Sequence, residues 1–243
     1  MIKTRAGDTG NTLFVYHRFI MTNVMHKLMT TLAAILIAAS AFAAPKNYDL
    51  KSPNGKLSVS VEAGEGISYT LTHDGDLLLD KTSISMATTS GELFGGIQPV
   101  RKVTRRSVSQ IIPTVLYKKA EVKDEFNEMT LKFKRFSLIF RAYDDGMAYR
   151  FVSHLKDAYQ IEQEFVNFNF AEDWNMWAGY VTHNTHSLEG QYFTSNEAQY
   201  TYSPLSQWNK DRIAILPLMV DGPDGKKIVI TEADLMNYPG MLL

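Results

Sequence analysis

The sequence predicts an all-β protein, a large two-sheet antiparallel β-supersandwich formed by the chain after residue 43. Apolar residues alternate with polar ones along most of this stretch, the period of a half-buried strand. Asp-Gly and Gly-rich turns punctuate the alternation at short intervals. Between Pro45 and Leu243 no amphipathic pattern is sustained over three helical turns. Many short strands with tight turns need two packed sheets to bury their apolar faces.

The chain opens differently. His26 and Lys27 precede an apolar run from Leu28 to Ala39, followed by Ser40-Ala41-Phe42-Ala43. A basic flank, a short apolar stretch and small residues before a cleavage point describe a secretory signal peptide over 21–43. The run is too short for a membrane span, which takes roughly 20 residues. Residues 1–20 are mixed and polar, and read as an upstream extension outside the protein proper, with Met21 or Met25 as the initiator. The domain expected to fold is 44–243.

Its strands follow in order. Leu57, Val59 and Val61 alternate with Ser58, Ser60 and Glu62, and Ile67, Tyr69 and Leu71 repeat the pattern. His73-Asp74-Gly75-Asp76 then supplies a hairpin turn. Leu116–Glu128 has helical composition but suits an exposed edge strand equally well. Met129, Leu131 and Phe133 alternate with Thr130, Lys132 and Lys134. Phe136–Ala142 and Ile213–Val220 are nearly continuous apolar runs, so burial on both faces is expected. Asp144-Asp145-Gly146 turns a second hairpin. Ile161–Phe170 alternates again, and Asp221–Gly225 turns the last pair into Lys227–Thr231.

Composition narrows the partners. With 25 basic and 26 acidic residues and a net charge of −1, nucleic acid is an unsuitable partner. The basic cluster Arg101, Lys102, Arg105 and Arg106 reads as a solvated loop or edge strand. The absence of cysteine means that an exported chain would rest on its core rather than on disulfides. It also removes the residue that carries a lipid anchor. A soluble periplasmic protein without a membrane anchor is the expectation.

Two regions carry candidate chemistry. Trp174–Tyr202 interleaves aromatic residues with His183, His186, Glu189 and Glu197. Aromatic faces stack on sugar rings, and amides and carboxylates between them take the hydroxyls; equally, the rings could plug one end of a sandwich. Zinc at His183 and His186 lacks a third ligand at suitable spacing. A Ser-His-Asp arrangement lacks its Gly-x-Ser-x-Gly element. The second region is Ile228–Leu243, where Glu232 and Asp234 stand two apart at a strand's exit. Hard oxygen ligands suit calcium, but both carboxylates could instead cap the segment that follows.

The segments SPNGKLSVSV (52–61), YKKAEVKDEFNEMTLKF (117–133), FRAYDDGMAYRF (140–151) and ILPLMV…ITEADLMNYPGM (215–241) resemble one family. It is the amino-terminal domain of glycoside hydrolase family 97, the α-glucosidases and α-galactosidases of Bacteroides-type bacteria. The resemblance implies an amino-terminal β-supersandwich, a central (β/α)₈ barrel with the catalytic carboxylates, and a small carboxy-terminal β domain. It also implies a calcium ion completing the active site, with one glutamate ligand from the sandwich; the matching position is Glu232. Asp234 has no matching role. Trp177, His186 and Glu197 are implied to line the pocket, with Asn196 standing where the family carries an aromatic residue.

The expected partners are therefore an α-linked oligosaccharide and a catalytic barrel, which this chain does not contain. With no catalytic carboxylate assigned here, the chain alone is expected to be inactive. A free-standing, non-catalytic carbohydrate-binding sandwich is the competing expectation.

Overall fold

Hairpins written in the sequence set the sheet order of the computed structural model, which describes residues 45–182, 187–193, 197–236 and 238–243. The extension at 1–20 and the signal peptide at 21–43 lie outside the described residues. Strands β1 (Lys46–Lys51), β2 (Leu57–Ala63), β3 (Ile67–His73) and β4 (Asp76–Thr88) pair in succession, and β10 (Ile161–Asn167) adds to the far side of β4. The short β5 (Leu93–Phe94) also pairs with β4. Asp74 and Gly75, with φ of 51° and 90°, make the two-residue turn that sets His73 opposite Asp76. Positive φ at both central positions matches the right-handed twist of the flanking strands, which explains Asp-Gly there.

A second sheet is the meander β6 (Lys102–Pro113), β7 (Glu121–Lys132), β8 (Phe136–Tyr143) and β9 (Gly146–Ser153). The stretch with helical composition thus ends in strand: Glu121 onward is β7, and its exposed basic partner β6 is the sheet's edge. Every pairing in these sheets is antiparallel.

The two sheets bury the alternating residues that the pattern singled out. Val59, Val61, Tyr69 and Leu71 on one side meet Met129, Leu131, Leu138 and Phe140 on the other in a common core. The rings of Tyr69 and Phe140 meet edge-on at 5.8 Å, and Phe136 stacks on Phe133 at 4.4 Å and on Phe94 at 5.0 Å. Burying each such side chain contributes roughly 1.5–3 kcal/mol. Gly95 lets β5 approach β4: at φ 90°, a Cβ there would lie 2.5 Å from the Ile84 carbonyl oxygen.

Beside these sheets lies a third, a division the periodicity does not distinguish. Its order is β12 (Thr201–Pro204), β11 (Asn175–Tyr180), β13 (Ala214–Asp221) and β14 (Lys227–Ile230). Met176, Ala178, Leu218, Val220 and Ile228 turn inward to the same core. Lys226, in the β13–β14 turn, forms an ion pair with Asp76 of β4.

Candidate functional site

The outward face of the third sheet carries the first candidate region. Because inward residues of β11 alternate with outward ones, Trp177 points away from the core that Met176 and Ala178 enter. It stands directly opposite Tyr202 on one side and Met219 on the other, and Met219 stands opposite Val229. A row of large side chains therefore crosses all four strands. Trp177 is 38% exposed and Tyr202 is 48% exposed, and their ring centroids are 4.5 Å apart at 38°.

The polar groups beside this row are fixed. The Tyr202 hydroxyl donates to Asp221 Oδ2 at 2.9 Å, and Lys227 Nζ reaches Asp221 Oδ1 at 2.6 Å. These bonds, led by that from Lys227, hold the Asp221 carboxyl below its ordinary range, so it stays ionised. Tyr200, also exposed, lays its ring against Gly179, where a Cβ would come 3.1 Å from the ring. The register slips between Trp177 and Gly179, a local irregularity of the kind that re-aims side chains.

The loop between β11 and β12 includes a single-turn helix, α1 (Leu188–Gln191). Ser187 caps it, its Oγ accepting from the Gly190 N–H at 3.1 Å. Gln191, which sequence composition groups with sugar-facing amides, is instead a buried clamp. Its Nε2 donates to the Asp211 carbonyl at 2.8 Å and its Oε1 accepts from the Ile213 N–H at 3.0 Å. Glu189, in the first turn of α1, is an exposed carboxylate that the earlier spacing argument does not single out. Glu197 is exposed on the approach to β12. His186 and His183, and Asn196, lie outside the described residues.

Glu232 sits in a different setting from the one strand geometry suggests. β14 ends at Ile230, and Asp234 takes a left-handed φ of 61°, so the two carboxylates are not on one strand face. The chain then loops out and returns, and Leu242 forms a β-bridge with Ile215. Glu232 closes the neck of this loop: its Oε2 accepts the Met241 backbone N–H. Tyr238 ties the loop to the first sheet, its hydroxyl donating to Glu164 Oε2 on β10 at 3.0 Å.

Burial raises the Glu164 carboxyl above its ordinary range; the Tyr238 bond opposes this and the charge of Glu232 adds to it. Burial likewise pushes the Tyr149 and Tyr238 hydroxyls well up. A carboxyl raised by burial, as that of Glu164 is, resembles a general acid, and Glu232 lies near enough to act on it. Neither residue, however, lines the cavity at Tyr192, Trp208 and Arg212 or the one at Glu92 and Arg135.

Calcium takes six to eight oxygen ligands. Among the described residues no group of three or more His, Cys, Asp or Glu gathers as a metal site. One oxygen of Glu232 already serves the loop neck. A calcium ion at Glu232 would thus need oxygen ligands beyond those gathered among the described residues.

Comparison with known proteins follows the same lines. The glycosyl-hydrolase 97 N-terminal family matches residues 50–243. A retaining alpha-galactosidase of Bacteroides thetaiotaomicron is 36% identical over 219 residues, which cover 89% of this chain and 33% of that protein. The chain therefore spans about a third of the length of the curated relative it matches. Among solved structures, a glycoside hydrolase family 97 enzyme of Pseudoalteromonas sp. strain K8, in complex with acarbose, superposes with a TM-score of 0.66 at 20% identity. That match covers 80% of this chain and 30% of the other. A beta-arabinopyranosidase superposes with a TM-score of 0.64 at 17% identity, covering 76% of this chain and 31% of its own.

Proposed function

The chain belongs to the glycosyl-hydrolase 97 N-terminal family, and we propose that it serves a calcium-dependent α-glycosidase as the domain that packs on a catalytic barrel. The observation that carries this reading is the family match through 50–243, alongside a relative about three times as long that is a retaining alpha-galactosidase. In this reading the substrate is an α-linked oligosaccharide, an α-glucoside or an α-galactoside. The place of action is the periplasm, reached by the signal peptide at 21–43.

The chain's own residues contribute positioning. Glu232, held at the loop neck by the Met241 N–H, offers a carboxylate oxygen to the ion from a fixed direction. Calcium, when bound, supplies a fixed positive charge beside the sugar. Of the residues that the resemblance implies, His186 and Glu197 shape the sugar pocket from the sandwich side, and Trp177 is assigned instead to the outer face of the third sheet.

Hydrolysis of a glycosidic bond takes two carboxyl groups flanking it. In this reading both carboxyl groups belong to the barrel, so the chain in isolation is inactive. The purified chain, given 4-nitrophenyl α-galactoside or α-glucoside with calcium, should release no nitrophenol. Calcium titration should show weak binding that Glu232→Gln removes. A calcium response that ignores Glu232→Gln but disappears in Glu189→Gln would move the ligand to α1.

A second reading, a free-standing carbohydrate-binding sandwich, is favoured by one observation: the exposed, hydrogen-bonded aromatic pair Trp177 and Tyr202.

A further inference from the structure

We propose that the outer face of the third sheet is a non-catalytic sugar platform, with Trp177, Tyr200 and Tyr202 as its apolar floor and Asp221 and Lys227 as its polar rim. It rests on the sugar-facing reading of Trp174–Tyr202, but on neither the calcium assignment nor the presence of a catalytic domain. The ligand class is a neutral pyranose oligosaccharide.

The argument starts from the rings. A pyranose presents a face of C–H groups, which an aromatic face attracts both by excluding water and through its negative quadrupole. Isolated exposed aromatics are common and need no explanation. Tyr202 opposes Trp177 in register, and Tyr200, just before β12, lies against Gly179, two residues on from Trp177 along β11. Glycine is what leaves room for that ring, since any Cβ would crowd it at 3.1 Å. A tyrosine seated in this way keeps 43% of its surface in solvent.

The rim gives the second half of the argument. Purely apolar docking faces have no use for an ionised carboxylate beside their centre. Here Asp221 is locked by Tyr202 at 2.9 Å and Lys227 at 2.6 Å. The carboxylate and the ammonium are thus an acceptor and a donor pre-set in direction, the pair a sugar's vicinal hydroxyls require. Pre-organisation lowers the ordering cost of binding. The Tyr202 hydroxyl couples floor to rim, so ring orientation and rim geometry are set together.

The test is isothermal titration of the whole chain with maltohexaose, with an α-1,6-galacto-oligosaccharide and with cellohexaose. Saturable binding of an α-linked probe is expected, about tenfold weaker in Trp177→Ala and in Tyr202→Ala. Tyr202→Phe, which keeps the ring and loses only its bond to Asp221, should weaken binding less. Tyr117→Ala, at an exposed aromatic between β6 and β7 of the second sheet, should bind as the parent does. Circular dichroism of each variant separates a lost site from a lost fold. Three results overturn the proposal: no binding of any probe by the folded parent; binding indifferent to Trp177 and Tyr202; or a dimer dissolved by Trp177→Ala, which would make the face a contact between copies. None of these bears on the absence of turnover or on calcium binding, so the platform can fail while the wider reading stands.

Discussion

Single residues in this fold show how local chemistry decides a role that residue type leaves open. Glu128, buried on β7, takes Arg106 at 2.6 and 2.9 Å and Arg141 at 2.8 Å, which draws one member of the basic cluster into a structural bridge. The Arg106 bond, ahead of the other contributions, holds the Glu128 carboxyl below its usual range. A depressed carboxyl contributes stability that is full above the unfolded pKa and is lost as pH falls through the folded one. Glu128→Gln should therefore lower the urea midpoint at pH 7, by roughly 1–3 kcal/mol in stability, with the deficit vanishing in acid. Glu164 works in the opposite sense. Its pKa is raised chiefly by burial, so its charge opposes folding as pH rises through that value. Glu164→Gln should leave acid stability unchanged and match or exceed the parent at neutral pH; a loss confined to neutral pH would contradict this. Gln191 stands within the aromatic-rich segment and Glu232 at a strand's exit, and neither position tells what its side chain bonds. Their backbone partners, Asp211 and Ile213 for one and Met241 for the other, are remote in sequence or reached across a returning loop, and no local pattern reveals them.

Elements were more legible than sites because alternation is a local signal. β2, β3 and β8 bury the residues their sequence alternates or concentrates inward: Val59, Val61 and Phe140 are fully enclosed. The Asp74-Gly75 turn sets its hairpin where Asp-Gly chemistry requires, and Asp144 and Asp145 make the two-residue turn that sets Tyr143 opposite Gly146. β6 and β7 were harder, since an exposed ribbon has no inward face to betray its period. They pair along their whole length from Lys102–Lys132 to Pro113–Glu121, but β8 joins β7 only from Asn127 onward. The outer half is thus a two-stranded arm, and such a ribbon is marginal without a third strand. Amides of 108–126 should exchange with deuterium faster than those of 127–132, and limited proteolysis should cut first within 114–120. Equal protection along β7 would mean that the arm is covered in solution. The aromatic stack in the core behaves oppositely: Phe136→Ala, which empties the place between Phe133 and Phe94, should cost about 3–5 kcal/mol in a denaturant titration.

The whole molecule joins three sheets around one apolar interior, with a ring-bearing face on the third and a pinned loop at its edge. Periodicity could announce strands and a sandwich, but not that β11 to β14 form a sheet of their own, because that depends on which edges meet. Trp177 and Tyr202 become neighbours only through this pairing, so the site was legible as an aromatic-rich segment and not as a surface. Family membership rests on likeness through 50–243. The most direct test is a turnover assay of the purified chain with 4-nitrophenyl α-galactoside and α-glucoside, with and without calcium. Release at the uncatalysed rate in both conditions is the result this account predicts. Calcium-dependent turnover, abolished by a chelator, would contradict it and place catalytic carboxylates within these residues.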